Sequence, residues 1–312
     1  MSLAFVFPGQ GSQKTGMGKR LAEAFPESRG AYSAADAALG FALSRLCFEG
    51  PDAELTLTAN TQPAILATSV AALRALEARG PKPDFVAGHS LGEYSAMVAA
   101  GVLDLDDALL AVRRRGSYMQ DAVPVGVGAM AAILGLELPA IEEACREAAA
   151  GEVVAPANVN SPGQVVIAGH AGAVLRASAA CKARGAKRAI ALPVSAPFHC
   201  ALMRPAQERM QADLAALPFR DAARPVVRNV DAREVRSAGE CRDGLVRQVS
   251  APVLWQQSVE RLLELGVKTF VEVGPGSVLC GLVRKISKQA RVLNVEDPES
   301  LAMTLQALEG VA

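Results

Sequence analysis

Five residues constrain this chain more than any others: Gly88-His89-Ser90-Leu91-Gly92, a serine with a glycine two positions away on either side. In a chain with 27 glycines the pattern alone decides nothing, so its flanks carry the argument. Before it, "DFVAG" is a short apolar run entered through the breakers of "RGPKPD", which predicts a buried strand. After it, "LGEYSAMVAAGVL" is rich in Ala, Leu and Met and reaches Gly101, which predicts a helix. Strand, glycine-flanked serine and helix, in that order, form the context of a nucleophile elbow. The glycines permit the tight turn and the close approach of strand to helix. The helix N-terminus adds free N–H groups and positive potential. Ser90 is therefore the candidate nucleophile.

The same alternation runs through most of the chain. "LAFVF" is the first strand, and "NTQPAILATSVAALRALEARG" is a helix that Asn60 or Thr61 would cap and Gly80 would end. A long helix follows from Asp104 to about Ala122. Strands alternating with helices predict a mostly parallel α/β sheet. At "PVGVGAM" the rhythm changes to strand, helix, strand, strand, helix, strand, the order of a ferredoxin-like unit. The first pattern then resumes with a helix at "ALMRPAQERMQADLAAL", a short strand "PVVRN", further helices and the strand "KTFVEVG". The expected architecture is a large α/β domain of residues 1–124 and 196–312, interrupted by a small βαββαβ subdomain of residues 125–195. A cleft between the two is the default place for a site.

Composition narrows the chemistry. The 51% hydrophobic but only 4% aromatic content demands a core of Ala, Val and Leu. Lys plus Arg equals Asp plus Glu at 32 each, which argues against a general nucleic-acid or membrane-surface role. Six scattered cysteines without a C-x-x-C read as buried free thiols, and no metal site is expected. The apolar run in "MSLAFVFPGQGSQ" is too short for a secretion signal, and no stretch approaches the ~20 apolar residues of a membrane span. A soluble, cytoplasmic protein is expected.

A serine nucleophile needs a proton acceptor. Of three histidines, His89 points away from Ser90 if it belongs to the strand, and His170 ends a strand inside the small unit. His199, in "VSAPFHC" where the chain re-enters the large domain, is the candidate base by elimination. No acid stands out between Ser90 and His199, so a distant acid, a backbone oxygen or an amide oxygen must orient the imidazole. That order differs from a standard lipase or esterase. "PGQGSQKTG" fails both the P-loop and the dinucleotide-binding patterns, with Lys14 where the latter needs its third glycine. At the end of the first strand, however, its N–H groups and the Gln10 amide could face the Ser90 turn as part of an oxyanion hole.

"FPGQGSQ", "GHSLGEYSA", "RGSYMQDAVP", "ANVNSPGQVVIAG", "SAPFH" and "EVGPGSVL", in this order, closely resemble the malonyl-CoA:acyl carrier protein transacylases, an acyltransferase family of fatty acid and polyketide synthesis. The resemblance runs from residue 4 to about 290. It implies a hydrolase-like large domain with a ferredoxin-like insert, and a ping-pong transfer. In that transfer Ser90 takes malonyl from malonyl-CoA and the phosphopantetheine thiol of acyl carrier protein takes it from Ser90. By motif, the resemblance makes His199 the base, and Gln10 with the backbone N–H of Leu91 the oxyanion hole. Arg115 would hold the malonyl carboxylate, and the backbone carbonyl of Gln248 would orient His199. Gln62, Asn158 and Asn160 would line the pocket, with Phe198 leaving little room for an α-methyl group. No bound cofactor is implied, since the substrates carry the phosphopantetheine, and a monomer is expected.

Two neighbouring readings share the residues: a polyketide acyltransferase working in trans, and a hydrolase clearing wrongly loaded carriers. Carriers of this type are acidic. Arg284, Lys285, Lys288 and Arg291, or Lys182, Arg184, Lys187 and Arg188, are the candidate docking stretches, and solvated surface is the plain alternative for both.

Overall fold

The computed structural model describes residues 2–194 and 196–309, so the expected limits at 1, 195 and 312 lie outside the described residues. Among the described residues ten strands form two sheets: β1 (Ser2–Phe7), β2 (Phe85–Gly88), β3 (Gly128–Leu134), β4 (Val154–Ser161), β5 (Gln164–His170), β6 (Arg188–Ala191), β7 (Val226–Val227), β8 (Glu234–Val235), β9 (Val267–Val273) and β10 (Arg291–Val295). The larger sheet runs β10-β9-β1-β2-β7-β8 and is parallel except for the β7–β8 edge pair. The smaller runs β4-β5-β3-β6 and is antiparallel throughout. The result is a mixed α/β protein with a parallel sheet and a separate antiparallel one.

Sequence explains the placement. β1 is central, and Ala4 to Phe7 are all wholly buried, as a parallel strand covered on both faces requires. The 20-residue helix Thr58–Glu77 packs from Ala64 to Leu76 almost entirely inside the protein. A helix apolar all round belongs in a core. It starts before the expected caps. Asn60 and Thr61 donate instead to the carbonyls of Glu54 and Leu55, reaching back to the preceding turn. At the other end the helix closes at Glu77, and Gly80 N–H returns to Leu76 O beyond it.

The small sheet carries the helices Leu138–Ala148 and Ala171–Ala183, with its own apolar cluster around Ile133, Ile141, Ile167 and Val174. β4 also ties it to the large sheet's loops. Val159 N–H donates to Val253 O and Val253 N–H to Ala157 O, both at 2.9 Å. All six cysteines are buried, and among the described residues no helix is long and apolar enough to cross a membrane. β8, β10 and the helix Pro298–Glu309 extend the fold beyond the elements expected from sequence.

Candidate active site

β1 and β2 end side by side, Phe7 opposite Gly88, and their following turns meet at Ser90. A Cβ on Gly88 would lie 1.9 Å from the Gly92 carbonyl carbon, and one on Gly92 would lie 2.0 Å from Phe7 O. Only glycines let strand and helix approach so closely, and the helix Gly92–Ala99 starts at once. Ser90 sits at φ 52°, in the left-handed region that a residue with a side chain seldom occupies. Its turn aims the hydroxyl into a cavity of about 430 Å³.

His199 reaches the same cavity from the segment after β6, also left-handed at φ 59°. Its Nε2 is 2.7 Å from Ser90 Oγ, and its Nδ1 is 2.9 Å from Gln248 O. A carbonyl can only accept, so Nδ1 carries the proton and Nε2 is left as the acceptor for the serine hydroxyl. Burial and the neighbouring Arg115 charge hold the imidazole down at about 3, so it is neutral and ready to accept. The other histidines are engaged elsewhere. His89 turns to Asn160 Oδ1 at 2.8 Å, and His170 Nδ1 accepts from Val153 N–H at 2.9 Å.

Arg115, only 1% exposed, comes from the helix Leu105–Asp121. One guanidinium nitrogen donates to Gln62 Oε1 at 2.8 Å, the other to Ser90 Oγ at 3.1 Å and Gln248 Oε1 at 2.8 Å. Every one of these partners is a neutral oxygen, and among the described residues no carboxylate pairs with it. Glu93 acts on it only at a distance, and a buried cation with no carboxylate in hydrogen-bond contact is costly unless an anion comes to meet it.

Gln10, Gln62, Asn158 and Phe198 line the cavity with Met119, Met130, Leu192 and Val194. Asn160 stands one contact back: its amide oxygen meets the ring of His89, which itself lines the cavity. Gln10 Nε2 reaches Thr58 Oγ1 at 3.4 Å. The backbone N–H groups of Gln10 and Leu91 have no acceptor among the described residues.

Two residues escaped the sequence reading. Asn229, wholly buried just beyond β7, accepts from Ser90 N–H at 2.7 Å and donates to Gly88 O at 2.6 Å, bracing the backbone that leads into the strained residue. Glu93, wholly buried in the first turn after the elbow, accepts from Asn229 N–H at 3.1 Å and Gln248 Nε2 at 2.8 Å. Burial pushes its carboxyl up to about 7. The signal for Glu93 was its place in "GHSLGEYSA"; for Asn229, in the turn after a two-residue strand and 139 positions from Ser90, there was none.

Comparison with known proteins agrees with this geometry. The family model for the acyl transferase domain matches residues 4–305. The malonyl CoA-acyl carrier protein transacylase of Escherichia coli K12 is 51% identical over 97% of this chain and 98% of its own length. The transacylase of the same name from Bacillus subtilis is 47% identical, over 98% and 97%. The solved transacylase of Coxiella burnetii superposes with a TM-score of 0.97 at 44% identity, covering 99% of this chain and 98% of that one. A malonyl-transacylase solved in complex with its type II PKS acyl-carrier protein gives 0.96 at 49% identity, covering 98% and 100%. At these identities and coverages, the chain belongs to the acyl transferase family, alongside the malonyl CoA-acyl carrier protein transacylases it matches.

Proposed function

We propose that the protein transfers malonyl from malonyl-CoA to the phosphopantetheine thiol of acyl carrier protein, supplying fatty acid synthesis, through a malonyl-Ser90 intermediate. The observation that carries this reading is Arg115: a buried guanidinium beside a nucleophile, with only neutral hydrogen-bond partners. Malonyl, unlike acetyl, brings a carboxylate that such a fork can bind with two parallel charge-assisted hydrogen bonds.

The steps follow from the contacts. Ser90 Oγ gives its proton to His199 Nε2 and attacks the thioester carbonyl. The resulting oxyanion is received by the free N–H of Leu91 and the Gln10 turn, donors of the kind that stabilise such charge. The tetrahedral adduct collapses, the imidazolium returns the proton to the departing coenzyme A sulfur, and malonyl-Ser90 remains. The carrier thiol then gives its proton to His199, attacks the ester, and Ser90 leaves with that proton. No bound cofactor enters this scheme. The element and strand orders support reading residues 125–195 as a ferredoxin-like insert in a hydrolase-like domain. A cytoplasmic monomer completes the proposal.

The test is the ratio of kcat/KM for malonyl-CoA to that for acetyl-CoA. Arg115→Ala should lower malonyl transfer by on the order of 3–5 kcal/mol, the cost of breaking a buried ionic pair. Acetyl, no longer facing a buried cation, should be accepted better. An equal fall for both would remove Arg115 from acyl selection.

The relative solved with a type II PKS carrier favours a second reading of the carrier alone: a polyketide carrier as acceptor. Malonyl transfer rates to a fatty acid carrier and a polyketide carrier, measured side by side, separate the two. Release of free malonate without any carrier would favour a hydrolase instead.

A further inference from the structure

Gln248 has a side chain at the centre of the site that no step above uses. Its Oε1 accepts from Arg115, while its Nε2 donates to Ser90 O at 2.9 Å, to Glu93 Oε2 at 2.8 Å and, longer, to Asn229 Oδ1 at 3.3 Å. A primary amide has one accepting end and one donating end. Flipped, it would set its NH2 against a guanidinium that can only donate. The acceptors on the opposite side prevent that, and one of them, Glu93, is a side chain with no contact to a reacting atom. Glu93 Oε1 has no partner among the described residues, although the residue is wholly buried. A carboxyl kept in the interior at that cost is poorly explained by packing alone.

We propose that Glu93 is a positioning residue for acyl selection: by accepting from Gln248 Nε2, it turns the Gln248 oxygen toward Arg115 and holds the guanidinium fork at the angle where it meets the substrate carboxylate. The inference rests on Arg115 binding that carboxylate. Glu93 Oε2 can accept whether or not Oε1 is protonated, so the orientation does not depend on its charge. The Gln248 carbonyl that receives His199 is backbone at the end of the helix Ala238–Gln248, so the base keeps its aim without Glu93. Loss of Glu93 also strips Asn229 N–H of its acceptor, which should slow both acyl groups alike. The ratio between acyl groups isolates the effect on Arg115.

Acylation of Ser90 by malonyl-CoA and by acetyl-CoA should be compared in wild type, Glu93→Ala, Glu93→Gln, Gln248→Met and Arg115→Ala, each per folded molecule as judged by circular dichroism. Glu93→Ala should lower the malonyl-to-acetyl ratio of kcat/KM about tenfold, the scale of one buried hydrogen bond to a charged partner. Glu93→Gln should restore the ratio to within about threefold, because its amide oxygen can accept from the same two donors. Gln248→Met, which keeps length but loses the amide, should lower the ratio as Glu93→Ala does, and it carries the test if Glu93→Ala does not fold. An unchanged ratio in Gln248→Met, or in a folded Glu93→Ala, overturns the inference, as does a Glu93→Gln no better than alanine. If Arg115→Ala itself leaves the ratio unchanged, the carboxylate reading falls, and this inference with it.

Discussion

At the scale of single residues, the site is governed by what burial does to proton affinity. An imidazole in water loses its usefulness as a base when it protonates near its ordinary value of about 6.5. His199 is held down at about 3, first by burial and then by Arg115. The folded protein binds that proton less tightly than a free imidazole does, so acid inactivation should set in well below 6.5. We expect kcat/KM for malonyl transfer to stay level from about pH 8 to about pH 6, and the acid limb to lie lower still. In Arg115→Ala, where one of the depressing influences is gone, the limb should move to higher pH. A pH–rate profile with a half-maximum near 6.5 in wild type would contradict this. The same reasoning gives His199→Ala a loss of acylation of about 10²–10⁴, the usual worth of a positioned acid–base group.

At the scale of elements, the elbow depends on backbone fitting against backbone. Gly92→Ala would push a methyl group into Phe7 O, and neither a carbonyl on a central strand nor the start of a buried helix can move aside cheaply. We expect a loss of roughly 1–3 kcal/mol in thermal or denaturant unfolding, the range for overpacking, together with slower acyl-serine formation. Gly30→Ala is the control. Gly30 is exposed in the helix Pro26–Leu39 with open space where the methyl would go, so the change should stabilise by about 0.5–1 kcal/mol. If both changes behave alike, close packing at the elbow is not what selects Gly92. These elements also mark how far sequence carries. The elbow was legible because strand, turn and helix are contiguous, and the βαββαβ order because its apolar runs are separated by clear breakers. Asn229 was not, because it reaches the elbow through a sheet neighbour of only two residues. Asn160 reaches the cavity through a neighbour that sequence does not reveal: its amide oxygen meets His89, whose ring lines the cavity. β10 was hidden by its polar residues Arg291 and Asn294.

At the scale of the whole molecule, the two sheets meet where the chemistry lies, and one of the two basic stretches reaches from the large unit to the small one. Lys285 Nζ donates to Gln164 Oε1 at the start of β5, so Arg284, Lys285 and Lys288 stand exposed at the junction of the two sheets. Lys182, Lys187 and Arg188 sit on the small unit, where Arg184 is already paired with Glu147. Reversing Arg284 and Lys285 to Glu should raise KM for an acidic carrier and steepen no other step, leaving malonyl-Ser90 formation from malonyl-CoA unchanged. The same reversal at Lys182 and Lys187 should matter less; the opposite ranking would move the docking face to the small unit. The order of the site along the chain has one more consequence. Ser90 and Arg115 precede the small unit, whereas His199, Asn229 and Gln248 follow it. During synthesis, a ribosome-bound chain that has emerged only through the small unit carries the serine and the cation but neither the proton acceptor nor the Asn229 and Gln248 amides that brace the elbow and the guanidinium. Such a half-made chain cannot open a thioester, so no coenzyme A ester is squandered on a protein that has yet to be finished.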